Sequence, residues 1–288
     1  MVEGMEVVSA KRAEWNRLAS WVQLTLKYVV ARQNPDGGYN FCQGVDSGTQ
    51  DTYYALAIFN ILNLPAPNKD ATVRWLQRFP ADNIFSYYYV AKGLILGDGQ
   101  VDGLLVSRVL ALRRSHGGFG EIDVGVEAFS EFEATYMATE ILRGLHVDFD
   151  RYSTAQWLLK YLNPDGGFGA KGYSNLISTF HALASLNNLG YTVKELDDTI
   201  LYTRSCEKAR GGFTAVPGVS LPYLEDIYAG VAILDLVDQK CSYPEATRDL
   251  ILGLQNNNGG FRRSLELGLS TFEDTYYAMK ILRVLGHV

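Results

Sequence analysis

The segment Gln255-Asn-Asn-Asn-Gly-Gly-Phe261, with Ser270-Thr-Phe-Glu-Asp-Thr-Tyr-Tyr-Ala-Met-Lys-Ile-Leu282 behind it, decides how the chain is read. Its Gly-Gly-aromatic core also stands at Gly37-Gly38-Tyr39, Gly117-Gly118-Phe119, Gly166-Gly167-Phe168 and Gly211-Gly212-Phe213. Successive copies lie about 45 to 50 residues apart, and the first interval of about 80 holds two periods. A helical pattern precedes each copy, as in Trp15 to Arg32 and Ser153 to Leu162. Glycine at positive φ is expected to end that helix. A polar loop and a second helix follow, as in Thr52 to Leu64. In the long interval, Asn68 to Arg78 and Phe85 to Leu96 supply a degenerate pair without the Gly-Gly turn, near residues 66–99. The expectation is all-α: about twelve helices in six helical-hairpin repeats, forming one domain over residues 1–288. A hairpin of this kind has no buried face until its neighbours stack on it.

Composition narrows the function. The net charge is −6 with no basic block, which speaks against nucleic acid as a partner. No run of ~18 apolar residues offers a membrane span. Met1 to Arg12 does not resemble a secretion signal. Cys42, Cys206 and Cys241 form no Cys-x-x-Cys pair and read as reduced thiols of a cytoplasmic protein. The 18 Tyr and 13 Phe matter more, because many of them fall in the second helices.

Laid side by side, the second helices put Tyr53, Tyr87, Tyr136, Phe180, Tyr228 and Tyr276 in one column. Two residues on stand Ala55, Ala138, Ala182, Gly230 and Ala278. Uniform columns read as packing positions, the small residue letting neighbouring helices approach. Three residues before the aromatic stands Gln50, Glu133, Ile177, Glu225 or Glu273. Three earlier again stands Ser47, Ser130, Ser174, Pro222 or Ser270. Ser-x-x-Glu/Gln is a capping box, so Glu133 and Glu273 read as helix caps. Two other columns are not uniform: Asp51, Phe85, Ala134, Ser178, Asp226, Asp274, and then Tyr54, Tyr88, Met137, His181, Ala229, Tyr277. They lie three apart and share a helix face. If the hairpins close into a ring, Asp51, Asp226 and Asp274 form an acidic arc, the candidate catalytic group. Phe85, Tyr88, Ala134 and Met137 then form an apolar arc opposite. The helix dipole also favours an Asp in a first turn, but three in adjacent repeats fit an acid cluster in a cleft. Such a cavity suits a long apolar molecule with a reactive head.

Gln33-Asn-Pro-Asp-Gly-Gly-Tyr39, Asn163-Pro-Asp-Gly-Gly-Phe168 and Gln255 to Phe261 resemble the prenyltransferase and squalene-oxidase repeat. That repeat is found in protein prenyltransferase β subunits and in squalene and oxidosqualene cyclases. The resemblance covers Trp15 to Leu285 and implies an α/α toroid with the second helix of each pair lining a central funnel. It also implies a zinc site, and here the chain departs from the family. Ser178 and Phe180 stand where Asp and Cys are needed, and Ala229 stands where His is needed. Phe and Ala offer no donor, so no zinc is expected. Lys171 matches a diphosphate-gripping Arg, whereas Asn175 stands where a Lys is expected.

The implied ligand is an isoprenoid, a prenyl diphosphate or a polyprene. It would lie along Phe85, Tyr88, Met137 and Phe180, with Tyr54, Lys171, His181 and Tyr277 as further contacts. Its head would face Asp51, Asp226 and Asp274, which would either hold Mg2+ against a diphosphate or supply a proton. Two alternatives stand beside this. Glu273-Asp274-Thr275 and Gln50-Asp51-Thr52 echo in part the acid motif of class II terpene cyclases, whose aromatic faces guide a carbocation. A non-catalytic toroid would bind a lipid or a protein, and the resemblance also raises a helical partner in the manner of a prenyltransferase α subunit. A helical-barrel glycoside hydrolase is disfavoured, since Trp15, Trp21, Trp75 and Trp157 all lie on first helices, away from the funnel.

Overall fold

Alternation of one-faced and all-round apolar helices sets the architecture. A computed structural model describes residues 18–120, 128–266 and 268–288, without the side chains of 128–130. Trp15 and the Met1 to Arg12 stretch lie outside the described residues. The described chain runs α1 (Ser20–Val30), α2 (Thr49–Ile61), α3 (Lys69–Arg78), α4 (Ile84–Leu96), α5 (Gly103–Ala111) and α6 (Ala128–Gly144). It continues through α7 (Arg151–Leu159), α8 (Leu176–Asn188), α9 (Asp197–Cys206), α10 (Leu224–Leu236), α11 (Pro244–Gly253) and α12 (Phe272–Val284). A two-stranded antiparallel ribbon, β1 (Gly169–Ala170) with β2 (Tyr173–Ser174), precedes α8. Among the described residues no helix is long and apolar enough to cross a membrane.

The even-numbered helices form a closed circuit: α2 packs on α4, then α6, α8, α10 and α12 in turn, and α12 returns to α2. The odd-numbered helices lie outside them. The outer helices α3 and α5 bury only a stripe, such as Thr72 and Leu76 on α3, as an amphipathic surface helix does. Inner helices are buried almost all round, from Thr52 to Phe59 without a break on α2. Capping sets where several of them start. Asn83 accepts from Ser86 N–H at the head of α4, Asn175 from Ser178 N–H at α8, and Thr271 from Asp274 N–H at α12.

The glycines do a different job from the one expected of them. Helix α1 ends at Val30 with Ala31 as its C-cap, well before Gly37. The Gly-Gly turn lies between bridged flanks, Gln33 with Tyr39 in the first repeat and Gln255 with Phe261 in the last. It presses its backbone onto the next outer helix. Gly259, at φ +93°, shows why a side chain is excluded: a Cβ would run into the Leu24 carbonyl of α1. Thr25 Oγ1 donates to Gly259 O (3.2 Å), and Gln255 Nε2 donates to Trp21 O (2.8 Å). The last turn therefore locks onto the first helix, and the ring closes in its outer layer too. The aromatic after the glycines goes fully inside: Tyr39, Phe119, Phe168, Phe213 and Phe261 are each 0% exposed. The N–H groups of Tyr39, Phe119, Phe168 and Phe261 donate to Thr52, Thr135, Thr179 and Thr275 on the inner helices. At Gly230 the small-residue column makes room for this aromatic, since a Cβ there would strike the Phe213 ring. The column read as helix-on-helix spacing is, at that position, loop-on-helix spacing.

A floor across the bore and two unlike ends

Six rings meet around the axis: Tyr53, Tyr88, Tyr136, Phe180, Tyr228 and Tyr276. Their centroids lie 5.9, 6.1, 5.4, 5.4 and 6.2 Å apart in that order, and Tyr276 returns to Tyr53 at 5.9 Å. Edge and tilted contacts at these spacings are the favourable arrangement for aromatic pairs. The uniform column is thus packed, but across the bore rather than between repeats, and it forms a floor at mid-height.

The helix starts correct the register of the second repeat. Ile84 opens α4 as Thr49 opens α2. Tyr88, not Tyr87, therefore matches Tyr53; Ser86 matches Asp51; and Tyr89 matches Tyr54. Phe85 shares the position of Gln50 and is 44% exposed, so it does not belong to a buried apolar wall. Without the Gly-Gly-aromatic mark in that repeat, nothing in the sequence pinned the alignment to better than one residue.

On the side of the helix N-termini the bore is acidic. Glu273 is its centre: Tyr54 and Tyr277 hydroxyls each donate to Glu273 Oε1 at 3.1 Å, and Gln50 Nε2 reaches the same oxygen at 3.4 Å. Gln50 also donates to Tyr89 OH (3.1 Å), which lies 3.3 Å from Tyr54 OH. The expected capping box is shifted by one residue. Thr271, not Ser270, caps α12, and its hydroxyl donates to Asp274 Oδ2 (2.7 Å). The acid engaged at the cap is therefore Asp274, while Glu273 faces the tyrosines. On α6, Ser130 lies inside the helix and not at its cap. Burial pushes Glu133 up, and the charge of Glu273 adds to it.

The three aspartates of the expected acidic arc head α2, α10 and α12, each tied to its own loop or cap. Phe41 N–H donates to Asp51 Oδ2 (2.9 Å), and backbone N–H groups of Tyr223 and Ala215 serve Asp226. Burial raises each carboxyl to about 6. Glu273 adds to the shift at Asp51, Glu225 at Asp226, and both at Asp274. Arg263, ion-paired with Glu225, offsets part of it at Asp226 and Asp274.

Met137, 3% exposed, takes the position of Tyr54 and Tyr277 on α6. His181 stacks on Tyr136 (5.1 Å, 16°), and burial lowers it to about 4, so it is a neutral wall residue at neutral pH. Lys171 is exposed in the β1–β2 turn. Ser178 and Asn175 are occupied in capping α8, with Ser178 N–H donating to Asn175 Oδ1 at 2.8 Å. Among the described residues no group of three or more His, Cys, Asp or Glu side chains is arranged to hold a metal ion.

On the other side of the floor lies a bowl of about 380 Å3, within the range of small-molecule sites. The floor rings line it, five of them phenols, and these hydroxyls lie within the field of Glu140 one turn further along α6. Above the floor the wall reads, in ring order, Ala57, Lys92, Glu140, Ala184, Ala232 and Lys280. Lys92 Nζ pairs with Glu140 Oε2 at 2.7 Å. Asn188 Nδ2 donates to Glu140 Oε1 (2.8 Å), and Arg143 donates to Asn188 Oδ1 (2.8 Å). Burial would push Glu140 up, but Lys92, Asn188 and Arg143 outweigh it and hold the carboxyl below its ordinary value. Burial lowers Lys280. The rim is mixed: Ile61, Ile95, Leu96, Leu236 and Val284 stand beside Asn60, Arg143, Asn187 and Asp235.

Sequence reading missed Glu140, Lys92 and Lys280. A signal was present, because all three stand four residues after a floor aromatic, in a column as uneven as the two that were singled out. It missed Glu273 because the capping-box pattern absorbed it.

The comparisons agree with this architecture. A search of curated proteins returned no match. Among solved structures, the chain is similar to Candida albicans protein geranylgeranyltransferase-I complexed with GGPP, with a TM-score of 0.76 at 17% identity over 94% of this chain and 92% of that one. It is similar to the type II terpene cyclase MstE from Scytonema in complex with geranylgeranyl dihydroxybenzoate, with a TM-score of 0.66 at 10% identity over 96% and 100%. It is also similar to a protein from Actinoplanes, with a TM-score of 0.59 at 15% identity over 92% and 98%. At these identities the likeness is one of fold. The family described as Prenyltransferase alpha-alpha toroid domain matches residues 5–83, 84–239 and 172–288, and the chain belongs to that family.

Proposed function

We propose that this chain binds an isoprenoid, and that the ligand occupies the bowl at the C-terminal ends of the inner helices. One observation carries this reading: the six-ring floor closes the bore at mid-height and leaves a cavity of about 380 Å3 on that side, lined by the aromatic rings and by Ile61, Leu96, Leu236 and Val284 among polar groups. Two structures of the same fold hold geranylgeranyl compounds, which supports the ligand class. Any transfer chemistry runs without a zinc-bound thiolate, because Ser178, Phe180 and Ala229 offer no matching donor set. No step is assigned to Mg2+, since Asp51, Asp226 and Asp274 are held by separate loops and caps. The test is native mass spectrometry with geranylgeranyl diphosphate, geranylgeraniol and squalene, followed by product analysis. Binding with unchanged ligand recovered identifies a binding toroid, and binding with a new product identifies an enzyme. No binding of any of the three refutes the reading.

A second reading is favoured by the carboxyls poised near pH 6 on the acidic side. A buried acid that keeps its proton close to neutrality is what protonation of an alkene demands. Asp51, Asp226 and Asp274 would be the donors, with Tyr54 and Tyr277 presenting aromatic faces to a cation. Product formation from squalene or geranylgeranyl diphosphate that is lost in Asp274→Asn, but kept when the bowl is filled by Ala184→Phe, would select it over the first.

A further inference from the structure

We infer that the bowl contains a phosphate-binding subsite between Lys280 and Lys92, which takes the head of a prenyl phosphate or diphosphate. The inference rests on the bowl being the binding cavity. Helix α2 lies between α12 and α4 in the ring, and it contributes only Ala57 at the level where its neighbours carry Lys280 and Lys92. Two ammonium groups thus flank a gap that a methyl group leaves open. The phenols of Tyr53, Tyr88 and Tyr276 lie on the floor of the same three helices, one turn away, and Tyr53 sits between the other two. Hydroxyl donors and two cations around a gap make the surroundings a phosphate oxygen needs.

The two lysines differ in what already satisfies them. Lys92 is held by Glu140 at 2.7 Å. Lys280 makes neither an ion pair nor a hydrogen bond among the described residues. Asp235 and Glu140 attract it from beyond contact distance, and Lys92 and Arg283 repel it. A half-buried ammonium without a direct partner is costly to keep desolvated, and an anion entering the bowl relieves that cost. Arg143, turned to Asn188, adds a third positive group on the wall.

Polar groups are not confined to the depth of the bowl: Asn60, Arg143, Asn187 and Asp235 line its outer turn beside Ile61, Leu96, Leu236 and Val284. The two lysines one turn above the floor are what an anionic head gains by entering. A terpene alcohol without the anion has no such reason to enter.

Isothermal titration of the full chain with inorganic diphosphate, geranylgeranyl diphosphate and geranylgeraniol tests this. Lys280→Met removes the charge and Lys280→Arg keeps it, while Lys69→Met on the outer layer serves as control. The expected result is binding of both anions by the native chain, weakened tenfold or more in Lys280→Met and largely retained in Lys280→Arg and Lys69→Met. Circular dichroism on each variant separates loss of binding from loss of fold. Equal affinity for geranylgeraniol and its diphosphate, with no effect of Lys280→Met, overturns the subsite but leaves the isoprenoid reading standing. Failure of every ligand to bind overturns both.

Discussion

Tyr276 and Tyr277 are neighbours in sequence but serve opposite ends of the bore. The Tyr277 hydroxyl donates to Glu273 Oε1 at 3.1 Å on the acidic side. Tyr276 belongs to the floor, lines the bowl and lies within the field of Glu140. Tyr53–Tyr54 and Tyr88–Tyr89 divide in the same way. Successive residues on a helix are turned by about a hundred degrees, which is enough to place one ring across the axis and the next towards the mouth.

This division is testable by removing one oxygen at a time. Tyr277→Phe takes a donor from a carboxylate and is expected to cost about 1–2 kcal/mol of stability in urea denaturation. It should leave geranylgeranyl diphosphate binding within twofold. Tyr276→Phe should do the reverse: a smaller change in stability, and weaker binding in the bowl.

Asp226 is 2% exposed, and its carboxyl is raised to about 6, chiefly by burial. A raised carboxylate pKa means the folded state holds its proton more tightly than the unfolded chain does. Stability from this group is therefore full below its ordinary value of 3.8 and falls as pH rises through about 6. Asp226→Asn should stabilise the fold at pH 8 by an amount on the order of 2 kcal/mol, seen as a higher melting temperature, and change little at pH 4. Thermal unfolding of both proteins across that range checks the sign.

The outer ring closes at Gly259 against Leu24. Gly259→Ala meets both a backbone carbonyl and a left-handed φ, and should destabilise by about 2 kcal/mol or more. Gly103→Ala, at the head of α5 with open space around it, should be neutral or stabilising by up to about 1 kcal/mol. Equal losses in the two variants would deny the joint its role.

Zinc is expected to leave the melting temperature unchanged. A metal that binds only the folded state stabilises it by mass action, and Ser178, Phe180 and Ala229 give it no set of ligands. A calorimetric scan with and without Zn2+ reads the outcome directly.

The repeats made the fold legible. Gly-Gly-aromatic is a three-residue mark whose spacing alone counts hairpins, and the ring of twelve helices among the described residues follows from it. The bore was less legible for two physical reasons. The second repeat carries no Gly-Gly-aromatic turn, so a one-residue error put Phe85 and Tyr88 in the wrong columns, and one residue on a helix is a different face. Local patterns also compete: Ser270-x-x-Glu273 matches a capping box, yet Thr271 and Asp274 take that role, freeing Glu273 for Tyr54 and Tyr277. Uniformity misled as well. A column of aromatics looked like inter-repeat packing, and only closure of the ring turns six such residues onto one another. Lys92, Glu140 and Lys280 stand one turn beyond that column, where attention to the first turn of each helix did not reach.

The most direct measurement is a crystal structure of the chain grown with geranylgeranyl diphosphate. The expected density lies in the bowl, with the diphosphate between Lys280 and Lys92 and the chain passing Leu236 and Val284. Density instead beside Glu273 and Asp274, with the floor rings parted to admit the chain from the acidic side, would contradict the account.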